Sequence, residues 1–347
     1  MEKERLAEYL EQYHMGALNA ATSRELELTF GIKGIQVRHM VNALRRDALA
    51  ALTAARTAPP KRRELPVPPL PEADCTAEAP RLTISVTRLE QLSPALLELG
   101  CPARVYIPLE EVSRLESLPG EGPEWCAVLP RVWRDRDEPA LRTLLERARA
   151  LGFTGVLIGN LGHLPLVRGL NFHLYGDYGL NVFNSRSLAY LKDKELESAC
   201  VSFELRFAQI RDLKKVLRAE AIVYGRLPLM ITENCLVQNE TGCRLDRQGP
   251  CVPEDGPCRC GQPNVLVDRT GAAFPLLPAY GHRTEIQNSK PLYLADRPEH
   301  RRLGLAYARL RFTTETAEEC VSVVQNYLDA APAAGDFTRG LYERGVE

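Results

Sequence analysis

The sequence predicts an α/β fold, specifically a (β/α)8 TIM-like barrel. From Arg81 onward, short runs rich in Val, Ile, Leu and aromatic residues alternate with helix-like runs. Continuously apolar strands that alternate with helices are typical of a parallel sheet covered on both faces. Eight such units in about 250 residues match a closed barrel. An open doubly wound sheet is the alternative, but no Gly-rich phosphate loop follows the first strand, which disfavours a dinucleotide fold.

The elements follow in chain order. The strand candidates are 82–87, 103–109, 125–133, 154–160, 172–178, 199–205, 220–226 and 305–312. The helical stretches are 138–152, 185–196, 207–220 and 316–330. The interval between strands 7 and 8 breaks this rhythm with Gly, Pro, Cys and a hairpin-like run, LVDRTGAAFPLL. Because barrel active sites are built from loops at the carboxyl ends of the strands, this insert is expected on the functional face.

Five segments are predicted along the chain. A small helical N-terminal segment covers 1–55 and a Pro-rich linker covers 56–80, where seven prolines forbid regular helix or central strand. The barrel occupies 81–331 with a Cys-rich insert at 230–294, and a C-terminal tail covers 332–347.

Composition excludes several classes of protein. The net charge is −1, so no global basic field draws the chain to nucleic acid or to anionic membrane. The charged N-terminus has no apolar core of a secretory signal, and no apolar run approaches the roughly 20 residues of a membrane helix. We therefore expect a cytoplasmic protein with no membrane partner, in which thiols stay reduced.

The cysteines are unevenly distributed. The chain has ten, and five fall between Cys235 and Cys260. Thiolate and imidazole ligands favour zinc or an iron–sulfur cluster. Neither paired CxxC motifs at zinc-finger spacing nor a ferredoxin run is present, so the pattern predicts a metal without specifying it. Free thiols or disulfides in a loop are the alternative.

Several runs in the chain resemble a known family. They are EAIVYGRLPLMITENC (220–235), LVDRTGAAFPL (266–276), HRTEIQNSKPLYLAD (282–296), and the runs at 155–162, 178–191 and 202–213. Together they resemble the collagenase-like peptidase family U32 over about 81–331. The N-terminal region and linker resemble the segment before the C-terminal barrel of long family members.

The resemblance implies two kinds of activity. The family is nominally one of peptidases (hydrolases, collagenase-like proteases) without an accepted mechanism. Several members instead support hydroxylation of RNA bases or of quinone precursors, and these hold a four-iron four-sulfur cluster by four cysteines. Glu220, Gly225 and Cys235 match the family signature, whereas Pro228 and His282 stand where relatives carry Cys.

The ligand set implied by the resemblance is mixed. We expect Cys235, Cys243, Cys260 and His282 to hold the metal, with Cys251 or Cys258 as substitutes. An iron–sulfur cluster is the expected cofactor, and a zinc ion suits this mixed set equally well.

Polar residues at strand ends supply the other candidates. Glu204 and Arg226 are the candidate catalytic residues, because strand-end side chains of a barrel face the active site. The candidate substrate-binding residues are Asn160, Asn181, Asn184, Arg131 and Arg206. Each has a plain structural alternative: ion pairing for the charged residues, and turn formation for the asparagines. His163 and His173 also lie near strand ends, where a lone His is more often structural.

Three functions are compatible with these features. The first is a metal-dependent or iron–sulfur-dependent enzyme, or enzyme subunit, that acts in hydroxylation of RNA bases or of a small aromatic precursor. The second is a true metal-dependent peptidase, which would need a metal with an open coordination position. The third is a non-catalytic barrel that docks on another U32-like chain. No Ser-His-Asp constellation, HExxH motif or nucleophile elbow is present.

Overall fold

A closed barrel of eight parallel strands forms the larger part of the protein. The computed structural model describes residues 34–73, 79–100, 102–241 and 259–346. The barrel strands are β1 (Arg81–Ser85), β2 (Arg104–Pro108), β3 (Glu124–Val128), β4 (Gly155–Ile158), β5 (His173–Gly176), β6 (Leu196–Cys200), β7 (Arg218–Gly225) and the last strand, β13 (Tyr307–Arg311). Each strand pairs in parallel with the next, and pairing of β6 with β7 closes the ring. The predicted barrel is therefore confirmed.

All eight predicted strands exist, and most lie within a few residues of their expected bounds. The largest offsets are at the carboxyl ends of β3 and β6: β3 ends at Val128 instead of at 133, and β6 ends at Cys200 although the apolar run continues to Leu205. Beyond Cys200 the chain keeps only a single bridge, from Val201 to Val182, before it turns. The predicted helix at 207–220 is also too long, since the helix ends at Asp212 and β7 begins at Arg218.

The helices are α1 (Gly34–Thr57), α2 (Pro94–Gly100), α3 (Leu109–Val112), α4 (Glu138–Ala150), α5 (His163–Val167), α6 (Ser185–Asp193), α7 (Phe207–Asp212), α8 (Leu236–Thr241) and α9 (Ala317–Leu328). Local sequence explains the longest of those that flank the barrel. Helix α4 begins with Pro139 in its first turn and buries Leu141, Leu145 and Ala148, which share one helical face. In α9, Thr316 and Glu319 form a reciprocal capping box.

The insert forms a separate four-stranded antiparallel sheet. Its strands are β8 (Pro228–Thr232), β9 (Asn264–Val267), β10 (Ala273–Ala279) and β11 (Arg283–Gln287), in the order β8-β11-β10-β9. The predicted hairpin is confirmed as β9 and β10. Its turn is stabilised by Asp268, whose carboxylate accepts hydrogen bonds from the backbone of Thr270 and Ala272. A two-residue strand, β12 (Leu292–Tyr293), returns the chain to the edge of β7.

The segment 332–347 is predicted as a tail, but its described residues, 332–346, pack on the barrel. Tyr342 is fully buried and its hydroxyl donates to the carbonyl oxygen of Ile222 (2.6 Å). Arg339 holds Asp296 through two hydrogen bonds of 2.6 and 2.8 Å. This segment therefore belongs to the compact unit Pro69–Glu347.

The other compact unit is Met1–Pro68. Its described part is helix α1 followed by residues that have neither helix nor strand, as the many prolines require. The predicted helical segment before Gly34 lies outside the described residues. In the described ranges, no helix has the length and apolar character needed to cross a membrane.

Candidate functional site

A large cavity lies at the carboxyl ends of the barrel strands. Its volume is about 1420 Å³. The wall includes residues that end or follow four different strands: Ser85, Pro108, Val128 and Arg311. The insert sheet contributes apolar residues to the same wall, among them Ile231, Leu276 and Leu277. The cavity therefore lies between the functional face of the barrel and the inserted sheet, where active sites of this fold occur.

A buried charged network reaches the cavity wall, to which Asp177 and Arg309 belong. Arg309 on β13 is 1% exposed and forms ion pairs with Glu220 on β7 and with Asp177, which follows β5. Glu220 also accepts hydrogen bonds from the hydroxyl groups of Thr83 (2.5 Å) and Tyr106 (3.2 Å). One signature residue of the resemblance, Glu220, thus has a structural explanation: it neutralises an arginine inside the barrel.

A second network connects the barrel to the insert. Glu285 on β11 accepts from Arg311 (2.9 Å) and is paired with Arg131 (3.0 Å), which follows β3. The Tyr178 hydroxyl lies 3.4 Å from the same carboxylate. Burial raises the pKa of Tyr178, and the charge of Glu285 adds to the effect, so the phenol remains a donor. Two guanidinium groups and a phenol therefore surround one carboxylate at the cavity surface.

Sequence reasoning missed most of these charged residues. Arg309 and Arg311 stand two apart in the run LAYARLRF, which places both side chains on one face of the strand. That alternation was the available signal. Because helices cover the outer face of the barrel strands with apolar contacts, charged side chains on these strands are expected to point to the barrel interior. Asp177 and Glu285 gave no comparable signal, since their roles depend on partners from distant strands.

The structure places the predicted site residues in different surroundings. Only Arg131 among the catalytic and substrate-binding candidates lines the cavity. Arg226 lies outside this cavity, and its guanidinium donates to the carbonyl oxygens of Asn288 and Ser289. Glu204 is half-buried and outside the cavity lining. Arg206 is exposed before α7. The roles predicted for these three residues stay predictions.

The three asparagines serve local backbone structure. Asn160 accepts from the amide of Gly162 (2.8 Å), and Asn184 caps α6 by accepting from the amide of Ser187 (2.9 Å). Asn181 adopts a left-handed backbone (φ 47°) at the end of a short 3-10 turn. All three are exposed and lie outside the cavity lining. These contacts match the turn-forming alternative.

The described metal-ligand candidates face one cavity. Cys235, Cys260 and His282 all belong to its lining. Cys235 is buried, and its sulfur accepts a hydrogen bond from the amide of Gln238 (3.3 Å). Within the described ranges, no three His, Cys, Asp or Glu side chains come together as a metal site. The remaining candidates, Cys243, Cys251 and Cys258, lie outside the described residues.

His163 is a buried structural histidine. It is 0% exposed, its Nε2 atom lies 3.1 Å from the carbonyl oxygen of Pro130, and its ring lies near Trp133. Within the described part of the chain, its Nδ1 atom has no hydrogen-bond partner. Burial lowers the pKa of His163 to about 4, despite the opposing hydrogen bond to Pro130. The folded protein therefore holds this ring neutral.

A neutral buried histidine makes stability depend on pH. The unfolded chain takes up a proton near pH 6.5 and the folded chain only near pH 4, so stability is present above pH 6.5 and is lost as pH falls through this window. We expect a loss of about 2–3 kcal/mol between pH 7 and pH 4 from this residue. Urea unfolding of wild type and His163→Gln at both pH values measures it. Equal losses in the two proteins would contradict the assignment.

Comparison with known proteins identifies the central part of the chain. The model of peptidase family U32 matches residues 118–263. Residues 118–263 are thus similar to peptidase family U32. The resemblance predicted from the sequence is thereby confirmed. The U32 match includes Glu220, Gly225 and Cys235 and ends before His282, Arg309 and the rest of the insert sheet.

Solved structures similar to this chain include the U32 peptidase Mk0906, with a TM-score of 0.38, 9% identity, and coverage of 71% of this chain and 98% of that one. A thiamine phosphate pyrophosphorylase from Pyrococcus furiosus has a TM-score of 0.31 and 9% identity, covering 72% and 95%. A mutant tryptophan synthase α-subunit from the same organism has a TM-score of 0.31 and 10% identity, covering 42% and 79%. No curated protein sequence matches the chain.

Proposed function

We propose that this U32 protein is an enzyme, or the substrate-binding subunit of one, that acts in hydroxylation of an RNA base or a small aromatic precursor. The proposal includes a metal or iron–sulfur centre held by the insert. One observation carries it: the cavity at the carboxyl ends of the barrel strands is also the cavity that Cys235, Cys260 and His282 line. Substrate space and soft metal donors therefore share one location.

The size and lining of the cavity support an aromatic substrate with polar substituents. A volume of about 1420 Å³ exceeds what a drug-sized ligand needs, so a nucleotide or a bulky aromatic acid fits. Leu276 and Leu277 of the insert offer apolar contact for a ring. Arg131 is 28% exposed beside Glu285 and offers a guanidinium to a carboxylate or phosphate group.

The metal is proposed on donor chemistry. Because no three of the described candidates come together as a metal site, the proposed centre combines donors among Cys235, Cys260 and His282 with thiolates of Cys243, Cys251 or Cys258, and such donors suit zinc and iron–sulfur centres. A bound cluster would supply electron transfer, whereas zinc would supply Lewis-acid chemistry. The residues of the barrel itself would bind and orient the substrate.

Metal content is the first test. We expect anaerobically purified protein to be brown and to contain about four irons per chain. Cys235→Ser should lose most of the metal because it removes a buried ligand from the cavity wall. Cys320→Ala is the matched control, since Cys320 is buried in α9 and outside the cavity lining. Stoichiometric zinc in colourless protein would identify the metal as zinc and contradict the iron–sulfur cluster. Full metal retention in Cys235→Ser would contradict the ligand assignment.

Product analysis tests the reaction itself. RNA nucleosides and quinone precursors from a deletion strain are compared by mass spectrometry with those from the strain that carries the gene. Loss of a hydroxylated species on deletion supports the proposal, and unchanged profiles contradict it. Cleavage of denatured collagen by the clean protein, abolished by metal removal, would favour the peptidase instead. Hydroxylation that requires co-purification with a second U32-like chain would assign this chain as the partner subunit.

A further inference from the structure

Two adjacent glutamates of the cavity wall have different surroundings. Glu110 and Glu111 lie in the first turn of α3, directly after strand β2, and both line the cavity. Their position at the carboxyl end of a barrel strand is where catalytic side chains of this fold occur. The sequence run PLEEV gave no reason to distinguish one glutamate from the other.

Glu111 is occupied by structural contacts. Its carboxylate is paired with Arg114 (2.6 Å) and accepts a hydrogen bond from the amide of Leu89 (3.2 Å). Glu110 has no ion pair within the described ranges, although it is half-buried. The carboxylate of Glu111 thus connects helix α3 to the backbone at Leu89, whereas Glu110 lies at the cavity wall without an ion-pair partner among the described residues.

The environment of Glu110 keeps it partly protonated near neutrality. Burial raises the pKa of Glu110 to about 7, and the charge of Glu111 adds to this, whereas a hydrogen bond from its own backbone amide opposes it. The charged group that acts on Glu110 is Glu111, and Glu110 in turn acts on Tyr280. The cavity wall also carries Glu90, Arg114, Arg136, Asp137 and Arg283, and Arg147 donates to the carbonyl oxygen of Val112 in the same helix, α3. Burial also raises the pKa of Tyr280, with Asp137 and Glu110 contributing, so this phenol stays neutral. A carboxyl group at a cavity wall that is partly protonated near neutrality is suited to act as a general acid or base.

We infer that Glu110 is the proton-transfer group of this cavity, contacting an oxygen or nitrogen atom of the bound molecule. In the acid form, the carboxyl O–H bond breaks as an O–H or N–H bond forms on the substrate, and the carboxylate takes a proton back in the reverse direction. No electron moves between the partners, so the step needs neither an oxidant nor a reductant. The inference rests on the proposed function, because it requires a molecule to be turned over in this cavity.

Carbodiimide labelling tests the acid without a substrate or a metal. Dicyclohexylcarbodiimide adds to protonated carboxyl groups in apolar surroundings: the proton goes to its nitrogen, the carboxyl oxygen bonds to its carbon, and rearrangement leaves a stable N-acylurea. We expect mass spectrometry of the full-length protein to place this adduct on Glu110, with half-maximal labelling near pH 7. Glu110→Gln should lose the adduct, and the matched control Glu111→Gln should retain it. The absence of an adduct, or a midpoint near pH 4.5, would overturn the inference.

Turnover separates a proton-transfer role from a structural one. With the substrate found by product analysis, Glu110→Gln is expected to lower turnover by at least about 100-fold and to remove a pH inflection near 7. Its metal content and thermal unfolding should stay close to those of wild type. A variant that keeps the rate or the inflection would overturn the inference. If wild-type protein forms no product, the proposed function fails, and labelling alone then decides whether Glu110 is an accessible acid.

Discussion

Gly225→Ala is expected to destabilise the protein by more than about 4 kcal/mol and to leave little folded material. Gly225 ends strand β7 with φ 116°, a conformation that side chains with a Cβ rarely adopt. A Cβ atom added there would lie 2.0 Å from the carbonyl oxygen of Arg311, on the neighbouring strand β13. That oxygen belongs to backbone paired within the barrel, so it cannot move without opening the strand pair. Circular dichroism and urea unfolding measure the loss.

A second glycine separates the clash from the backbone strain. Gly122 has nearly the same φ, 114°, but a Cβ added there meets no atom within 4 Å. Gly122→Ala therefore carries the strain alone, of about 1–3 kcal/mol. If both variants lose the same stability, close approach to Arg311 is not the reason that this position is glycine.

Glu220→Gln is expected to cost about 3 kcal/mol, because it leaves Arg309 with only one of its two buried carboxylate partners. Both Arg309 and Glu220 are 1% exposed, so water cannot replace the lost charge. Urea unfolding at pH 7 is the measurement. Asp212→Asn is the matched control: it breaks the exposed ion pair to Arg211 and should leave stability unchanged.

A double-mutant cycle isolates the pair itself. The variant carrying both Glu220→Gln and Arg309→Met should lose less stability than the two single losses added together, because the second change removes the uncompensated charge. Strict additivity of the losses would mean that Glu220 stabilises the barrel through Thr83 and Tyr106 instead of through Arg309.

The metal candidates show how far a pattern of residues can lead. Their crowding predicted a shared location, and Cys235, Cys260 and His282 do line one cavity. The strand-end rule worked less well for single polar residues. Arg131 reaches the cavity, whereas Asn160 and Asn184 turn their side chains back to the local backbone. A strand end places a residue at the correct face, but a short amide side chain satisfies the nearest backbone amide first.

The sequence by itself determined the barrel and the similarity of its central part to family U32. Strand and helix patterns are local, and each run carries its own period of apolar residues. Only the tertiary structure decided which charges meet. Arg309 finds Glu220 and Asp177, and Arg131 finds Glu285, across strands that are far apart in the chain. Tertiary structure also distinguishes the two adjacent glutamates. Burial raises the pKa of Glu110, whereas Glu111 is paired with Arg114. Burial and pairing depend on closure of the barrel, which no local pattern contains.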